Sequence, residues 1–303
     1  MLKRRKLFAF SALIACFGLL GSALSHSQQS ESPAGSPTDP RLREKLQMAA
    51  PANASLPSLF LVGDSTVRNG HGDGANGQWG WGEPLVELFD SSKINVVNRA
   101  IGGRSSRTYL TEGHWEETLA LIKQGDYVLF QFGHNDSGPL DDTARARGTI
   151  RGTGEASAEI ENPILKRHET VHSYGWYMRK YVEDTKAKGA TPILCSPIPR
   201  KIWKDGKVVR NAGDYGGWVR DVAGEEHVAF LDLNGIIARR YDALGESKVE
   251  SLFADPHTHT SRAGAELNAE CVVSGLRALQ GDPLGTYLDA KGRAIRREAE
   301  LEP

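Results

Sequence analysis

Five short apolar runs, separated by longer polar and amphipathic stretches, constrain the fold of this chain more than any other feature. Their length and their content of aromatic and β-branched residues predict buried strands. The runs are SLFLVGD, INVVNRA, DYVLFQFG, TPILCSPIP and VAFLDL. Segments such as HWEETLALIKQG and SRAGAELNAECVVSGLRALQ carry apolar residues at helical spacing. Because strands that alternate with helices pair in parallel through crossover connections, the pattern predicts an α/β fold with helices on both faces of a sheet.

The composition excludes several classes of protein. Of 303 residues, 39% are hydrophobic and 25% are charged, which is typical of a globular chain and not of a disordered or multi-spanning one. The formal net charge is −1, but four basic residues lie together in KRRK at 3–6. Without those four, 33 basic residues remain against 38 acidic ones, a net charge of −5. We therefore expect no nucleic-acid partner, because proteins that bind nucleic acid present a basic surface.

Residues 1–25 have the pattern of a secretory signal peptide, with a basic start, an apolar stretch and a small-residue site at the end. A membrane anchor is the alternative, because the apolar stretch approaches the length of a span. Arg4 and Arg5 also permit twin-arginine export, and LIAC, which ends at Cys16, resembles a lipoprotein processing site. We favour cleavage. We expect an exported protein, periplasmic or extracellular, with no stable membrane partner afterwards and with lipoprotein anchoring at Cys16 as a minor alternative.

The remainder divides by composition into three segments. Residues 26–55 are rich in Ser, Pro and Gln and predict a linker, residues 56–283 carry the α/β pattern, and residues 284–303 form a charged tail. Within the α/β segment, residues 136–169 are polar and lack a clear period, which predicts a mobile loop or a binding surface. Oligomeric state cannot be read from these patterns, and a monomer is the expectation.

Polar and glycine residues follow the predicted strands at four places. They are GDS at 63–65, GGR at 102–104, GHND at 133–136, and DPHTH at 255–259 before the last helix. In a parallel sheet, functional groups gather at the carboxyl ends of the strands. The four segments are therefore expected to meet at one edge of the sheet.

These segments contain the parts of a serine nucleophile site. Ser65 follows a strand, and a serine attacks a carbonyl only when a neighbouring base takes its proton. His257 or His259 could be that base, with Asp255 to fix the tautomer of the ring. In the alternative interpretation these residues have only structural roles: Ser65 belongs to the turn that ends a strand, and the histidines are surface residues of a loop. The joint presence of all these groups at strand ends favours the catalytic interpretation.

Two further residues fit an oxyanion hole. Gly103 offers a backbone N–H that no side chain obstructs, and Asn135 offers a side-chain amide. Preorganised donors of this kind are each worth roughly 10²–10³ in the rate of ester hydrolysis. Either residue could instead belong to an ordinary turn.

Metal and cofactor chemistry is less favoured. His257 and His259 with Asp255 could ligate zinc, but the segment lacks an evident fourth ligand and helical spacing. Cys195 and Cys271 remain outside the predicted signal peptide and could form one disulfide or stay as two buried thiols. No CxxC pair suggests a structural zinc site. We expect no metal and no cofactor.

GDST, NRAIGGRSSRTY, FGHNDSG and HTHTSRAGAE together resemble the SGNH (GDSL-type) hydrolases, and more closely their rhamnogalacturonan acetylesterase-like branch. The similarity runs over 59–279, and the ordered set is far more specific than GDS alone. The resemblance implies a flavodoxin-like fold, a three-layer α/β/α sandwich with a central, mainly parallel five-stranded sheet. Residues 56–283 would then be the catalytic domain.

The resemblance also assigns roles within the site. It implies that Ser65 is the nucleophile, that His259 is the base, and that the N–H groups of Ser65 and Gly103 with the amide of Asn135 form the oxyanion hole. The chain departs from the family pattern at the acid, which usually lies three residues before the histidine. Pro256 occupies that position here, so we assign Asp255 as the acid. Pairing of Asp255 with His257 remains an alternative.

The function implied is that of a carbohydrate acetylesterase, which removes acetyl groups from an acetylated polysaccharide or oligosaccharide, most simply pectic rhamnogalacturonan. The alternatives are an acetylxylan esterase, a lipase or thioesterase of the same superfamily, and a carbohydrate-binding protein with a decayed site. We expect substrate contacts from Trp79, Trp81, Arg104 and His134. Further candidates are Arg107, Trp203, Tyr215 and Trp218. The two arginines could equally form structural ion pairs, and the aromatic residues could equally belong to the core.

Overall fold

A computed structural model describes residues 48–68, 74–211 and 213–298. In chain order its strands are β1 Ser58–Gly63, β2 Asn95–Asn98, β3 Tyr127–Gln131, β4 Ser157–Asn162, β5 Arg167–His172, β6 Thr191–Cys195, β7 Trp203–Lys204, β8 Lys207–Val208 and β9 Ala229–Leu231. The five predicted strands correspond to β1, β2, β3, β6 and β9. They form one sheet in the order β2-β1-β3-β6-β9, and every neighbouring pair is parallel. The α/β prediction is confirmed.

The strand order determines where a site can form. Read along the chain, the sheet grows from β1 to β2 on one side and then from β3 through β6 to β9 on the other. The connections that follow β1 and β3 therefore leave the sheet in opposite directions. This arrangement opens a crevice at the carboxyl ends of the two strands, where ligands bind in sheets of this kind.

Helices cover both faces of the sheet. Their bounds are α1 Gly82–Val86, α2 Ser106–Thr111, α3 His114–Leu119, α4 Tyr174–Ala187, α5 Tyr215–Glu225, α6 Leu233–Leu244, α7 Glu246–Glu250, α8 Arg262–Ala278 and α9 Ala290–Ala294. Helices α5 and α6, which were not predicted from the sequence, precede and follow β9. Ser173 and Ser261 cap α4 and α8 by accepting backbone N–H groups of the first turn.

Successive residues of the central strands build two separate cores, because side chains along a strand point to alternate faces. Leu59 and Leu61 of β1 pack with α1, α6 and α8. Phe60 and Val62 pack with α2, α3, α4 and α5. The molecule is therefore the expected three-layer α/β/α sandwich.

Residues 136–169 are not a structureless loop. Their second half forms β4, which pairs antiparallel with β5 in a hairpin. Arg107, on α2, binds this region through four hydrogen bonds of its side chain. Its guanidinium forms two hydrogen bonds to Glu169 of β5, at 2.7 and 3.0 Å, and donates to the carbonyls of Leu140 and Gly148 at 2.8 and 2.9 Å. The Arg107 side chain is fully buried, so of the two roles open to it from the sequence, substrate contact and a structural ion pair, the structure shows the ion pair.

The segments on either side of the sheet domain are joined to it by specific contacts. The N–H of Asn53 donates to the side chain of Asn95, which donates in return to the carbonyl of Asn53. In the charged tail, Leu284 and Leu288 are buried in the core on the α8 face. Both ends of the domain are thus anchored to the sheet sandwich.

The predicted signal peptide (1–25), with Cys16, lies outside the described residues, and so does the predicted linker as far as residue 47. In the described part of the chain, no helix is long and apolar enough to cross a membrane. Cys195 and Cys271 are both free and buried, which decides between the two alternatives that the sequence left open. Burial raises the pKa of each thiol well above its ordinary value.

Candidate active site

Ser65 lies directly beyond the end of β1, at the start of a tight turn. Asp64 organises the turn, because one of its carboxylate oxygens accepts the N–H of Thr66 at 2.9 Å and its hydroxyl at 2.8 Å. Gly63 is required there, since a Cβ would lie 2.7 Å from Cγ2 of Val67 and 2.8 Å from the carbonyl oxygen of Gln131. The turn directs Oγ of Ser65 to Nε2 of His259, 2.9 Å away.

His259 is held between Ser65 and Asp255. Its Nδ1 lies 2.5 Å from Oδ2 of Asp255, and both side chains are mostly buried, with 19% and 14% of their surface exposed. The predicted serine, histidine and aspartate therefore form one continuous hydrogen-bonded chain. This is the geometry of a nucleophile, a base and the group that orients the base.

The loop before α8 folds around the carboxylate of Asp255. Its Oδ1 accepts the backbone N–H groups of His257, Thr258 and His259 at 3.0, 2.6 and 3.0 Å. This turn brings the acid to His259 although it lies four residues before it. A signal was present in the sequence, because Asp followed by Pro favours the start of a turn.

The ring of His257 points elsewhere. Its Nδ1 lies 2.7 Å from the hydroxyl of Thr258 and 3.4 Å from Nη1 of Arg200. Asp255 therefore pairs with His259, and the alternative pairing with His257 is not present. The two rings also do not converge on one point. Across the described residues, no group of three His, Cys, Asp or Glu side chains is arranged to hold a metal ion.

The electrostatics of Asp255 fix the tautomer of His259. Burial by itself raises the pKa of this carboxyl, but the hydrogen bond with His259 and those from the loop N–H groups outweigh it and hold the pKa below its usual range. An ionised carboxylate only accepts hydrogen bonds, so the proton of the neutral ring lies on Nδ1. Nε2 is then free to accept the proton of Ser65.

The three predicted oxyanion donors are the N–H groups of Ser65 and Gly103 and the side-chain amide of Asn135. Among the described residues, no acceptor pairs with the backbone N–H of Ser65 or with that of Gly103. Gly103 has a φ of +76°, a conformation that favours glycine. Asn135 follows β3, and its Nδ2 donates to the carbonyl of Arg104 at 3.0 Å. A side-chain amide has two N–H donors, so one remains for a ligand. The predicted oxyanion residues thus have donors available at the carboxyl edge of the sheet.

The side chains of His134 and Asp64 lie together next to the nucleophile turn. Nδ1 of His134 lies 3.4 Å from Oδ2 of Asp64, and its Nε2 lies 3.0 Å from the carbonyl oxygen of Ile198. A carbonyl only accepts, so Nε2 carries a proton. Burial raises the pKa of Asp64, but the charge of His134 and the hydrogen bonds from Thr66 more than offset this and leave the pKa lowered.

Asp136 is a second buried carboxyl, and no role for it was predicted from the sequence. Its Oδ1 accepts the N–H and the hydroxyl of Ser106, at 3.0 and 2.5 Å. Complete burial raises its pKa to about 7, against the lowering effect of the Ser106 hydrogen bonds, and the neighbouring charge of Asp64 raises it further. The residue adjacent to Asn135 therefore titrates near neutral pH. Nothing in the sequence distinguishes it from an ordinary turn aspartate.

Two of the predicted substrate contacts are wrong. Trp81 is 1% exposed, and its indole N–H donates to the side chain of Gln131 at 2.9 Å inside the core. Arg104 is 2% exposed and forms an ion pair with Glu112 at 2.7 Å. Both side chains stabilise the walls of the site and are not available to a polysaccharide.

The other two predicted contacts lie close to the site. Trp79 is half-buried and is tied to Thr260, the residue after His259, by hydrogen bonds of 2.8 and 2.6 Å. The guanidinium of Arg262 covers its ring at 4.9 Å. His134 lines a cavity beside Asn135. Their contact with substrate stays a prediction.

Comparison with known proteins agrees with this geometry. The family model of the GDSL-like lipase/acylhydrolases matches residues 61–267. The chain belongs to this family. Membership identifies it as an enzyme that hydrolyses carboxylic esters, and the matched region contains Ser65, Gly103, Asn135 and His259.

Individual relatives cover most of the chain. A Bacillus subtilis protein named a probable rhamnogalacturonan acetylesterase, YesY, is 32% identical over 231 residues, which are 75% of this chain and 94% of that protein. A rhamnogalacturonan acetylesterase of Emericella nidulans is 29% identical over 225 residues, 74% of this chain and 86% of the relative. The crystal structure of YxiM from Bacillus subtilis is similar with a TM-score of 0.59 and 26% identity. It matches 75% of this chain but only 58% of its own length.

Proposed function

We propose that this esterase removes O-acetyl groups from an acetylated plant cell-wall polysaccharide, with pectic rhamnogalacturonan as the first candidate. The observation that carries the proposal is the chain from Ser65 through His259 to Asp255, with hydrogen bonds of 2.9 and 2.5 Å. This chain supplies an activated serine, and the adjacent donors of Gly103 and Asn135 suit the tetrahedral intermediate of acyl transfer.

The reaction proceeds in two half-reactions. Nε2 of His259 takes the proton of Ser65 as Oγ attacks the acetyl carbonyl, and the N–H donors bind the oxygen that becomes negative. His259 then gives the proton to the sugar oxygen, which leaves as a hydroxyl as its bond to the acetyl carbon breaks. Water next attacks the acetyl-serine while the same ring takes its proton, and the ring returns that proton to Oγ of Ser65 as acetate leaves. Asp255 stays ionised throughout and stabilises the imidazolium.

The substrate assignment is supported by the relatives. Two proteins that align over most of this chain are named rhamnogalacturonan acetylesterases. A plant cell-wall polysaccharide reaches an enzyme only outside the cell or, as fragments, in the periplasm. This agrees with the signal peptide predicted at residues 1–25. We therefore propose an exported enzyme.

The test is acetate release by the wild type and by Ser65→Ala. The substrates are acetylated rhamnogalacturonan, acetylated xylan, and p-nitrophenyl esters of acetate and of a long-chain acid. We expect acetate from rhamnogalacturonan and a loss of about a millionfold in kcat for the variant. Ser92→Ala, at an exposed serine, is the matched control and should behave as the wild type.

Each other outcome identifies a specific error. A clear preference for xylan would make the enzyme an acetylxylan esterase, and a preference for long-chain esters would make it a lipase. Full activity of Ser65→Ala would remove the proposed nucleophile. Binding of the polysaccharide without any hydrolysis would indicate a carbohydrate-binding protein.

A further inference from the structure

A cavity of about 270 Å³ opens beside the candidate active site. One wall is formed by Gly133 and His134, which directly precede Asn135. Pro197 and Ile198, which follow β6, and Tyr215 at the start of α5 also line the cavity. The cavity therefore shares a loop with the oxyanion donor.

Arg200 joins this cavity to the catalytic histidine loop. It lines the cavity, and its guanidinium donates to the hydroxyl of Thr258 and to the carbonyl of His134, the latter at 3.3 Å. Thr258 precedes His259. A sugar held in the cavity would thus lie next to the sugar unit of the same chain whose acetyl ester reaches Ser65.

Arginines outnumber carboxylates in the lining of the cavity. Three arginines line it, and Arg210 forms an ion pair with Asp242 at 2.8 Å. Neither Arg151 nor Arg200 has a carboxylate within ion-pair distance in the described part of the chain. The acidic residue of the lining is Asp214. By contrast, the buried guanidinium groups of Arg104 and Arg107 are matched by Glu112 and Glu169.

The rest of the lining is amphipathic. Arg151 lies over the ring of Trp218 at 5.0 Å, which fixes the plane of its guanidinium. Across the mouth, Ile202 and Val209 flank the β7–β8 hairpin and are 44% and 43% exposed. Apolar side chains next to fixed polar groups are typical of pockets that take up sugars, which present C–H faces and hydroxyl edges together.

We propose that this cavity is a subsite for a uronic acid residue of the substrate chain, whose carboxylate is bound by Arg151 and Arg200. The inference rests on the proposed function, because it concerns the glycan that carries the acetyl group. A guanidinium binds a carboxylate with paired, charge-assisted hydrogen bonds, and both guanidinium groups belong to the lining of this one cavity. Asp214 accepts hydrogen bonds from hydroxyl groups of the same sugar.

The test uses Arg151→Gln, because Arg200 also holds the loop of His259. The substrates are acetylated rhamnogalacturonan oligosaccharides and the same material with its carboxyl groups reduced to alcohols. We expect wild-type kcat/KM to be about tenfold higher for the acidic form, mainly through KM. Arg151→Gln should bring this ratio close to one. Lys188→Gln, which removes a positive charge beyond the end of α4, is the matched control and should keep the wild-type ratio.

A direct binding measurement separates this inference from the proposed function. Oligogalacturonides without acetyl groups should inhibit wild-type hydrolysis of p-nitrophenyl acetate competitively, and neutral galacto-oligosaccharides should not. Arg151→Gln should weaken that inhibition about three- to tenfold, and added salt should weaken it for the wild type. Equal kcat/KM for the acidic and reduced substrates, or inhibition that Arg151→Gln leaves unchanged, would overturn the subsite. A further outcome is that the wild type releases no acetate from any glycan while oligogalacturonides still inhibit its hydrolysis of p-nitrophenyl acetate. That result would overturn only the proposed polysaccharide substrate.

Discussion

Replacement of Asp255 by Asn tests how the acid orients the base. Oδ1 of Asp255 accepts three backbone N–H groups, so only an oxygen can occupy that position. The amide oxygen of Asn must therefore face the loop, and its NH₂ group must replace Oδ2, the atom 2.5 Å from Nδ1 of His259. An NH₂ group only donates, so Nδ1 of His259 becomes the acceptor and the ring proton moves to Nε2.

The magnitude follows from this change of tautomer. Nε2 faces Oγ of Ser65 at 2.9 Å, and once it carries a proton it can no longer take the proton of the serine. In serine proteases with the same triad, the equivalent aspartate-to-asparagine change lowers kcat about 10⁴-fold and leaves the site geometry intact. We expect a loss of about that size for Asp255→Asn, with KM nearly unchanged because the acid does not contact the substrate.

The assay is the initial rate of p-nitrophenyl acetate hydrolysis at several pH values, with thermal melting as a check on folding. Asp255→Ala should be equally inactive but should also lose the acceptor of three N–H groups, which lowers the free energy of unfolding by about 1–3 kcal/mol relative to Asp255→Asn. His257→Gln is the control for the rejected pairing and should keep most of the activity. Asp255→Asn with kcat within tenfold of the wild type would refute the tautomer argument. An equally large loss in His257→Gln would show that the wrong histidine has been assigned.

Three other changes probe the surroundings of the triad. Asn135→Ala should lower kcat roughly 10²–10³-fold with little effect on KM; an unchanged kcat would exclude it from the oxyanion hole. Arg107→Gln leaves Glu169 buried without its partner and should reduce the free energy of unfolding by about 3–5 kcal/mol in urea titrations. The pKa of Asp136 is raised to about 7, so its stabilising contribution is complete below its unfolded value and is lost as the pH rises through 7. The Tm of the wild type relative to Asp136→Asn should therefore fall between about pH 4 and about pH 7, and a constant difference would contradict the raised pKa.

The sheet and the nucleophile turn could be predicted because their signals are local. Buried parallel strands appear as continuous apolar runs, and β1 and β3 are such runs. Ser65 and Asn135 follow those strands directly, so the sheet edge that they share could be inferred from chain order alone. The β4–β5 hairpin gave no comparable signal, because β4 has only two apolar residues, Ala158 and Ile160, and most of its side chains are exposed or half-buried.

The roles of the arginines could not be predicted, since a charged residue reveals its partner only in three dimensions. Glu169 lies 62 positions from Arg107, and the sequence offers no reason to pair them. For Arg104 and Arg107 the sequence left open both a contact with substrate and a structural ion pair, and only the structure decides for the ion pair. Arg151 and Arg200, which line the cavity, lie on segments that carry no motif.

Cys195 and Cys271 sit unpaired inside one core, although the chain carries an export signal pattern that is usually associated with oxidising surroundings. The native state of the described domain therefore has no step that waits for an oxidant. We therefore expect this domain to reach the same folded form in reducing and in oxidising surroundings. A reducing expression host should suffice to prepare it, without a disulfide isomerase.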